Sequence, residues 1–200
     1  MACRTYRGVD SSAMFTLILG GARSGKSRFA QSLCRDAAMV VYIATARVED
    51  AEMRERVERH RAERPPHWRT LEEPLALADA VRSEGPATPV ILIDCLTVWL
   101  SNLMWELREQ SSSAVEAVIN QELDALAAAA GTADIVAVSN EVGSGVVPES
   151  PVGRMFRDLQ GLLNQRAAAL ADRVFLTVAG IAIPIKTPLT EVRSNLLHHE

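Results

Sequence analysis

Apolar and polar positions alternate between two regimes along this chain. Near-continuous apolar runs rich in β-branched residues recur at 15–21 (FTLILGG), 39–46 (MVVYIATA), 89–96 (PVILIDCL), 134–141 (DIVAVSNE), 173–180 (RVFLTVAG) and 181–187 (IAIPIKT). Runs of this length without a polar face suit strands covered on both sides, as in a parallel sheet. Between them the spacing changes to three and four. Val115, Val118, Ile119, Leu123 and Leu126 share one face of a predicted helix that runs into alanines, with Gly131 as its expected C-cap. A second helix opens with Ser150 as N-cap and Pro151 at the first helical position, and gathers Val152, Met155, Phe156, Leu159, Leu162 and Leu163 on one side. Alternating strands and helices predict an α/β domain with a mainly parallel sheet, right-handed crossovers and helices on both faces. Pro184 cannot donate to a ladder, so the last strand is expected at an edge or as an antiparallel addition near the C-terminus.

Composition narrows this picture. Two hundred residues, 48% of them hydrophobic, suffice for one domain with its own core. Residues 14–188 are expected to form it, with 1–13 a polar extension, Met14 a second candidate start and 189–200 a tail. A formal charge of -4 argues against nucleic acid as a partner. Cys3, Cys34 and Cys95 lack the spacing of a disulfide framework or zinc site, which fits a reducing cytoplasm. No apolar run approaches the roughly 18 to 20 residues a membrane span requires, so no membrane insertion is expected.

The first strand signal leads into GGARSGKS, where Gly20, Gly25, Lys26 and Ser27 satisfy G-x-x-x-x-G-K-[ST]. In that P-loop arrangement glycines let backbone N–H groups turn onto phosphate oxygens, and the following helix adds its positive end. Lys26 would reach the β- and γ-phosphates and Ser27 would ligate magnesium. Lys26 and Lys186 are the only lysines among 21 basic residues, so an arginine-biased chain keeps lysine at this position. Asp94, after the apolar VILI, is the candidate metal-organising carboxylate; the alternative is a strand-end turn or N-cap aspartate. A guanine-reading N-K-x-D segment is absent from the sequence, which disfavours a switch GTPase. Size and acidic charge disfavour a nucleic-acid motor, and a small-molecule kinase remains.

The most charged segment, 49–74, reads as a helix with Asp50 as N-cap and Pro65 as its stop. Met53, Val57 and His60 share a face, so His60 points with apolar residues. Three readings stand side by side: a half-buried histidine among solvated arginines, a phosphate-clamping lid, or a nucleophile. In the last, a neutral imidazole attacks phosphorus and is held as a phosphoramidate while Arg61 and Arg64 hold phosphates. His67 follows a Pro-Pro pair, and His198 and His199 lie in the tail.

Five segments in order, GGARSGKSRFA, YIATA, DAEMRERVERHRAERPPHWRTLEEP, LIDCLTVWLSNLM and SNEVGSGVVPESPVGRMFRDLQGLLNQ, resemble the bifunctional adenosylcobinamide kinase / adenosylcobinamide-phosphate guanylyltransferases of cobalamin biosynthesis, from about Phe15 to Lys186. That resemblance implies a RecA-like P-loop fold assembled as a homotrimer. It implies magnesium-dependent phosphorylation of adenosylcobinamide by ATP or GTP. Transfer of GMP from GTP to adenosylcobinamide phosphate would follow, giving adenosylcobinamide-GDP and pyrophosphate. It places the guanylylated histidine at His60. Nucleotide contacts fall at Gly20, Gly21, Ala22, Arg23, Ser24, Gly25, Lys26 and Ser27, at Ala44, Thr45 and Ala46, at Arg61, Ala62, Glu63 and Arg64, and at Glu72 and Asp94. Trp99 and Leu100 either line a corrinoid site or pack inside a buried helix. Asn140 and Glu141, with Gly143 and Gly145 beyond them, are candidates for substrate or metal organisation or for a subunit contact. The competing readings are a plain kinase using 49–68 as a lid and a regulatory subunit that binds GTP without turnover.

Overall fold

The computed structural model describes residues 13–47, 51–62 and 64–188, and for residues 51–53, 56, 59 and 60 the backbone alone. Seven strands form one sheet: β1 (Phe15–Gly20), β2 (Val40–Ala44), β3 (Arg69–Glu72), β4 (Val90–Asp94), β5 (Asp134–Asn140), β6 (Arg173–Val178) and β7 (Ile181–Lys186). Their order is β3-β2-β4-β5-β1-β6-β7, parallel throughout except for the antiparallel β6–β7 pair. Each apolar run of the sequence becomes a strand. Pro184 sits in β7, at the sheet edge and antiparallel, where a missing N–H removes little.

Both faces of the sheet are covered, which is why the central strands carry no polar alternation. On one face, Leu17, Ile43, Ile93 and Ile135 pack with side chains from α3 (Leu77–Glu84), α4 (Leu96–Glu106), α5 (Ser112–Ala129) and α6 (Pro151–Leu170). On the other, Ile18, Tyr42, Leu92 and Val138 pack with Ala30 and Cys34 of α1 (Lys26–Cys34) and with Trp68. α2 spans Ala51–Ala62.

Ser150 caps α6 as its sequence predicts, its Oγ accepting from Gly153 N at 3.1 Å, with Pro151 in the first turn. Gly131 does not cap α5. The C-cap is Ala130 in right-handed geometry (φ -59°), with its N–H bonded to Ala127 and Leu126 carbonyls, so the left-handed turn that favours glycine never forms. β3 and α3 were not marked by the hydrophobic pattern. β3 is four residues long with charged ends, and its place comes from the register with β2 (Tyr42↔Thr70, Ala44↔Glu72).

Candidate active site

The carboxyl ends of parallel strands converge on one edge of the sheet, the usual ligand-binding edge of open α/β folds. β1 ends at Gly20 and the chain turns through Gly21, Ala22, Arg23, Ser24 and Gly25 into α1. Arg23 (φ 56°) and Gly25 (φ 94°) are left-handed, the alternation that turns successive N–H groups toward one concavity. Gly20 is required sterically: a Cβ there would lie 2.5 Å from Ser24 Oγ and 2.6 Å from the Thr177 carbonyl. α1 has no side-chain cap and no acidic residue in its first turn, so its positive end is not neutralised from within. Lys26 Nζ donates to the Gly21 carbonyl at 3.0 Å, arching back over the loop, and Ser27 is half-buried in the same turn.

The loop is braced on two sides. Gly180 N donates to Ser24 O at 2.8 Å from the two-residue turn Ala179–Gly180, where both residues have positive φ as a type I′ hairpin requires. Glu141 N donates to Gly20 O at 3.0 Å from the end of β5. That end is itself held by Thr97 Oγ1, which accepts from Asn140 N at 2.7 Å, and by Asn164 Nδ2, which donates to Asn140 O at 3.0 Å. Behind it Ser139, Gln160 and Asn164 form a buried hydrogen-bonded cluster.

β4, one strand removed from β1, ends at the half-buried Asp94. Asp94 Oδ2 accepts from the Tyr42 hydroxyl at 2.6 Å. Burial, and after it the Asp94 charge, raises the Tyr42 pKa, so the phenol remains a donor. The same causes push the neighbouring Cys95 thiol up to about 11. Thr45 ties β2 to β4: its hydroxyl donates to Cys95 O and accepts from Cys95 N, both at 2.9 Å, while Asn102 Nδ2 donates to Thr45 O at 2.8 Å. Ala44 ends β2, Ala46 follows Thr45, and Glu72, exposed, ends β3 opposite Ala44.

Arg61 and Ala62 are exposed in the last turn of α2. Arg64, just beyond, lays its guanidinium over the Tyr42 ring, 3.3 Å from the centroid, and donates to Thr70 Oγ1 at 3.2 Å. The His60 backbone lies in α2; its side chain, with Asp50 and Glu63, falls outside what the structure describes, as do Cys3, His198 and His199. His67 is exposed in the turn after α2.

The family described as "Cobinamide kinase / cobinamide phosphate guanyltransferase" matches residues 16–185. The chain belongs to that family. It is 43% identical over 181 residues to the bifunctional adenosylcobalamin biosynthesis protein CobU of Escherichia coli, a match covering 86% of this chain and 100% of that protein. It is 48% identical over 176 residues to CobP of Pseudomonas aeruginosa, covering 86% and 98%. A solved ATPase from the type III secretion system of pathogenic bacteria is similar in fold, with a TM-score of 0.56 and 13% identity over 92% of this chain and 61% of that one. That likeness, with the mostly parallel sheet, shows an α/β fold, and the G-x-x-x-x-G-K-S loop between β1 and α1 gives this cobinamide kinase / guanyltransferase family member its P-loop.

Within that frame, Trp99 and Leu100 are fully buried in α4, with Trp99 Nε1 donating to Leu75 O at 2.7 Å, so they pack the core and do not line an open surface. Gly145 has open space around it and Gly143 lies against Glu141 Oε1, in a loop exposed apart from the half-buried Val142 and Pro148. Tyr42, Thr97 and Asn164 carry no motif; each acts through a partner on another element, which only the packing of strand on strand and helix on sheet reveals. No described helix is long and apolar enough to cross a membrane.

Proposed function

We propose that this chain catalyses both reactions of its family at the carboxyl edge of the sheet: phosphorylation of adenosylcobinamide by ATP or GTP, and transfer of GMP from GTP to adenosylcobinamide phosphate. The observation that carries the proposal is a glycine-shaped loop leading into an uncapped helix, with Lys26 and Ser27 at its start, on the same sheet edge as the half-buried carboxylate of Asp94, on a chain matching the family from 16 to 185.

The loop and the first turn of α1 would hold the β- and γ-phosphates through backbone N–H groups, and Lys26 would leave the Gly21 carbonyl to neutralise them. Hydroxyl and carboxylate oxygens are the donors magnesium prefers, so Ser27 and Asp94 fit it. Bound there, magnesium would supply charge neutralisation on the transferring phosphates. In the kinase reaction the corrinoid hydroxyl oxygen forms a bond to the γ-phosphorus and the nucleoside diphosphate leaves. In the guanylyl reaction His60 attacks the α-phosphorus of GTP and pyrophosphate leaves, forming an N–P bond. A phosphate oxygen of the corrinoid then attacks the same phosphorus and the imidazole departs. Two displacements at one phosphorus let GMP wait on the protein, so the large corrinoid and GTP need not meet in one complex. Arg61, Ala62, Glu63, Arg64 and Glu72, with Ala44, Thr45 and Ala46, complete the proposed nucleotide contacts.

We further propose a homotrimer in the cytoplasm. The resemblance supports the assembly, and Val178, Ile181, Ile183 and Ile185, exposed along the edge hairpin, are available for subunit contact. Cys34 and Cys95 are both free thiols, in keeping with a reducing compartment.

The test is turnover. Purified protein with magnesium, GTP and adenosylcobinamide is expected to give adenosylcobinamide phosphate and then adenosylcobinamide-GDP. His60→Ala is expected to stop at the phosphate. Phosphate alone from the unaltered protein would reduce the proposal to a plain kinase, and no turnover of either would overturn it.

A further inference from the structure

Tyr42 stands where the two halves of the proposed site meet. It is 2% exposed in the middle of β2, and its hydroxyl reaches sideways to Asp94 Oδ2 at 2.6 Å on the neighbouring strand β4. Its ring carries the Arg64 guanidinium at 3.3 Å from the centroid. Arg64 in turn donates to Thr70 Oγ1, and Thr70 is the residue paired with Tyr42 across the β2–β3 register. Arg64 N also donates to Arg61 O at 3.2 Å, so the guanidinium is joined by a short turn to the last residues of α2, the helix that bears His60.

A guanidinium stacked on an aromatic face, desolvated by neighbours, is held more firmly than a solvated one. A carboxylate whose one oxygen accepts a short hydrogen bond loses rotational freedom, so its other oxygen has a fixed direction. Both constraints act through one side chain.

We propose that Tyr42 is a positioning residue joining the metal end of the nucleotide site to the histidine helix: its hydroxyl turns Asp94 so that Oδ1 faces the nucleotide, and its ring seats Arg64 and with it the end of α2. The inference rests on the reading of Asp94 as metal organiser and His60 as guanylyl acceptor. The two functions belong to different parts of one side chain, and two substitutions separate them. Tyr42→Phe keeps the platform and removes the hydroxyl; Tyr42→Leu removes both.

The first readout is the affinity for a non-hydrolysable GTP analogue, measured by titration in magnesium and again in EDTA, with folding checked by thermal melt. Tyr42→Phe is expected to reduce the magnesium-dependent gain in affinity about tenfold while affinity in EDTA stays as in the unaltered protein. A purely structural role would lower both together. The second readout is the ratio of covalent GMP labelling to corrinoid phosphorylation. Tyr42→Leu is expected to lower that ratio, whereas Tyr42→Phe leaves it unchanged. An unaltered magnesium gain in Tyr42→Phe, or equal losses of labelling and phosphorylation in Tyr42→Leu, would overturn the proposal. Asp94→Asn, titrated in parallel, identifies the cause. If it too keeps the full magnesium gain, the metal reading of Asp94 has failed; if it alone loses the gain, only the role given to Tyr42 has.

Discussion

Gly20 has no room for a side chain, and that single fact makes the loop's shape testable. The nearest atoms to an added Cβ are Ser24 Oγ and the Thr177 carbonyl oxygen; the second is backbone on β6 and cannot swing aside. Overpacking of this kind costs about 1–3 kcal/mol. Borne by the nucleotide site, it corresponds to about a tenfold loss of affinity or more. Gly20→Ala is therefore expected to weaken binding of a GTP analogue by titration, while Gly161→Ala, in α6 and with nothing within 4 Å of an added Cβ, leaves it nearly unchanged. A second residue-scale prediction concerns Cys34, 1% exposed at the end of α1 on its sheet-facing side. Burial, and after it the Asp134 charge, pushes its thiol up from 9.0 to about 12. The unfolded chain ionises this thiol near pH 9 while the folded chain keeps it neutral. The associated stability is therefore complete below about pH 9 and is lost as pH rises toward 12. Urea melts at increasing pH should show stability falling across that window, with a shallower fall in Cys34→Ala. At this scale the glycine-rich loop proposed to cradle phosphate is legible because its residues are neighbours in sequence. Tyr42 is not: in VVYIATA it reads as one more apolar strand residue, and its partner Asp94 is 52 positions away.

Elements carry the site to its edge. α6 begins at Ser150 with a side-chain cap, and Ser150→Ala is expected to cost about 1 kcal/mol, read as a lower urea midpoint with unchanged slope and little effect on nucleotide affinity. Asn164, in the same helix, behaves differently. It is 6% exposed and links Ser139 to the Asn140 carbonyl, beside the Glu141 N–H that holds Gly20. Asn164→Ala strands several buried groups at about 1–3 kcal/mol and loosens the loop's β5 brace. A drop in melting temperature together with weaker nucleotide binding is expected, and normal binding in a destabilised protein would contradict the link. The strands and both long helices were legible from periodicity, since burial on both faces leaves so little polar interruption. β3 and the end of α5 were not: a four-residue strand takes its identity from β2, and the chain after α5 turns without the left-handed residue that Gly131 led one to expect.

At the scale of the molecule, the proposed site asks one sheet edge to serve two chemistries that differ in which phosphorus is attacked. The loop, Lys26 and Asp94 would suit either, which on this proposal leaves the difference to the histidine helix. The β6–β7 hairpin exposes Val178, Ile181, Ile183 and Ile185, an apolar stripe that the proposed assembly would cover. Light scattering is expected to give three times the 21.7 kDa chain mass, and Ile183→Asp combined with Ile185→Asp to lower it. The covalent guanylyl-histidine proposed at His60 is tested by incubation with magnesium and GTP labelled on the α-phosphate. Label is expected on the protein, stable in base, released in acid and absent from His60→Ala. An unlabelled protein that nonetheless binds GTP would contradict it and leave the edge of this sheet with kinase chemistry alone.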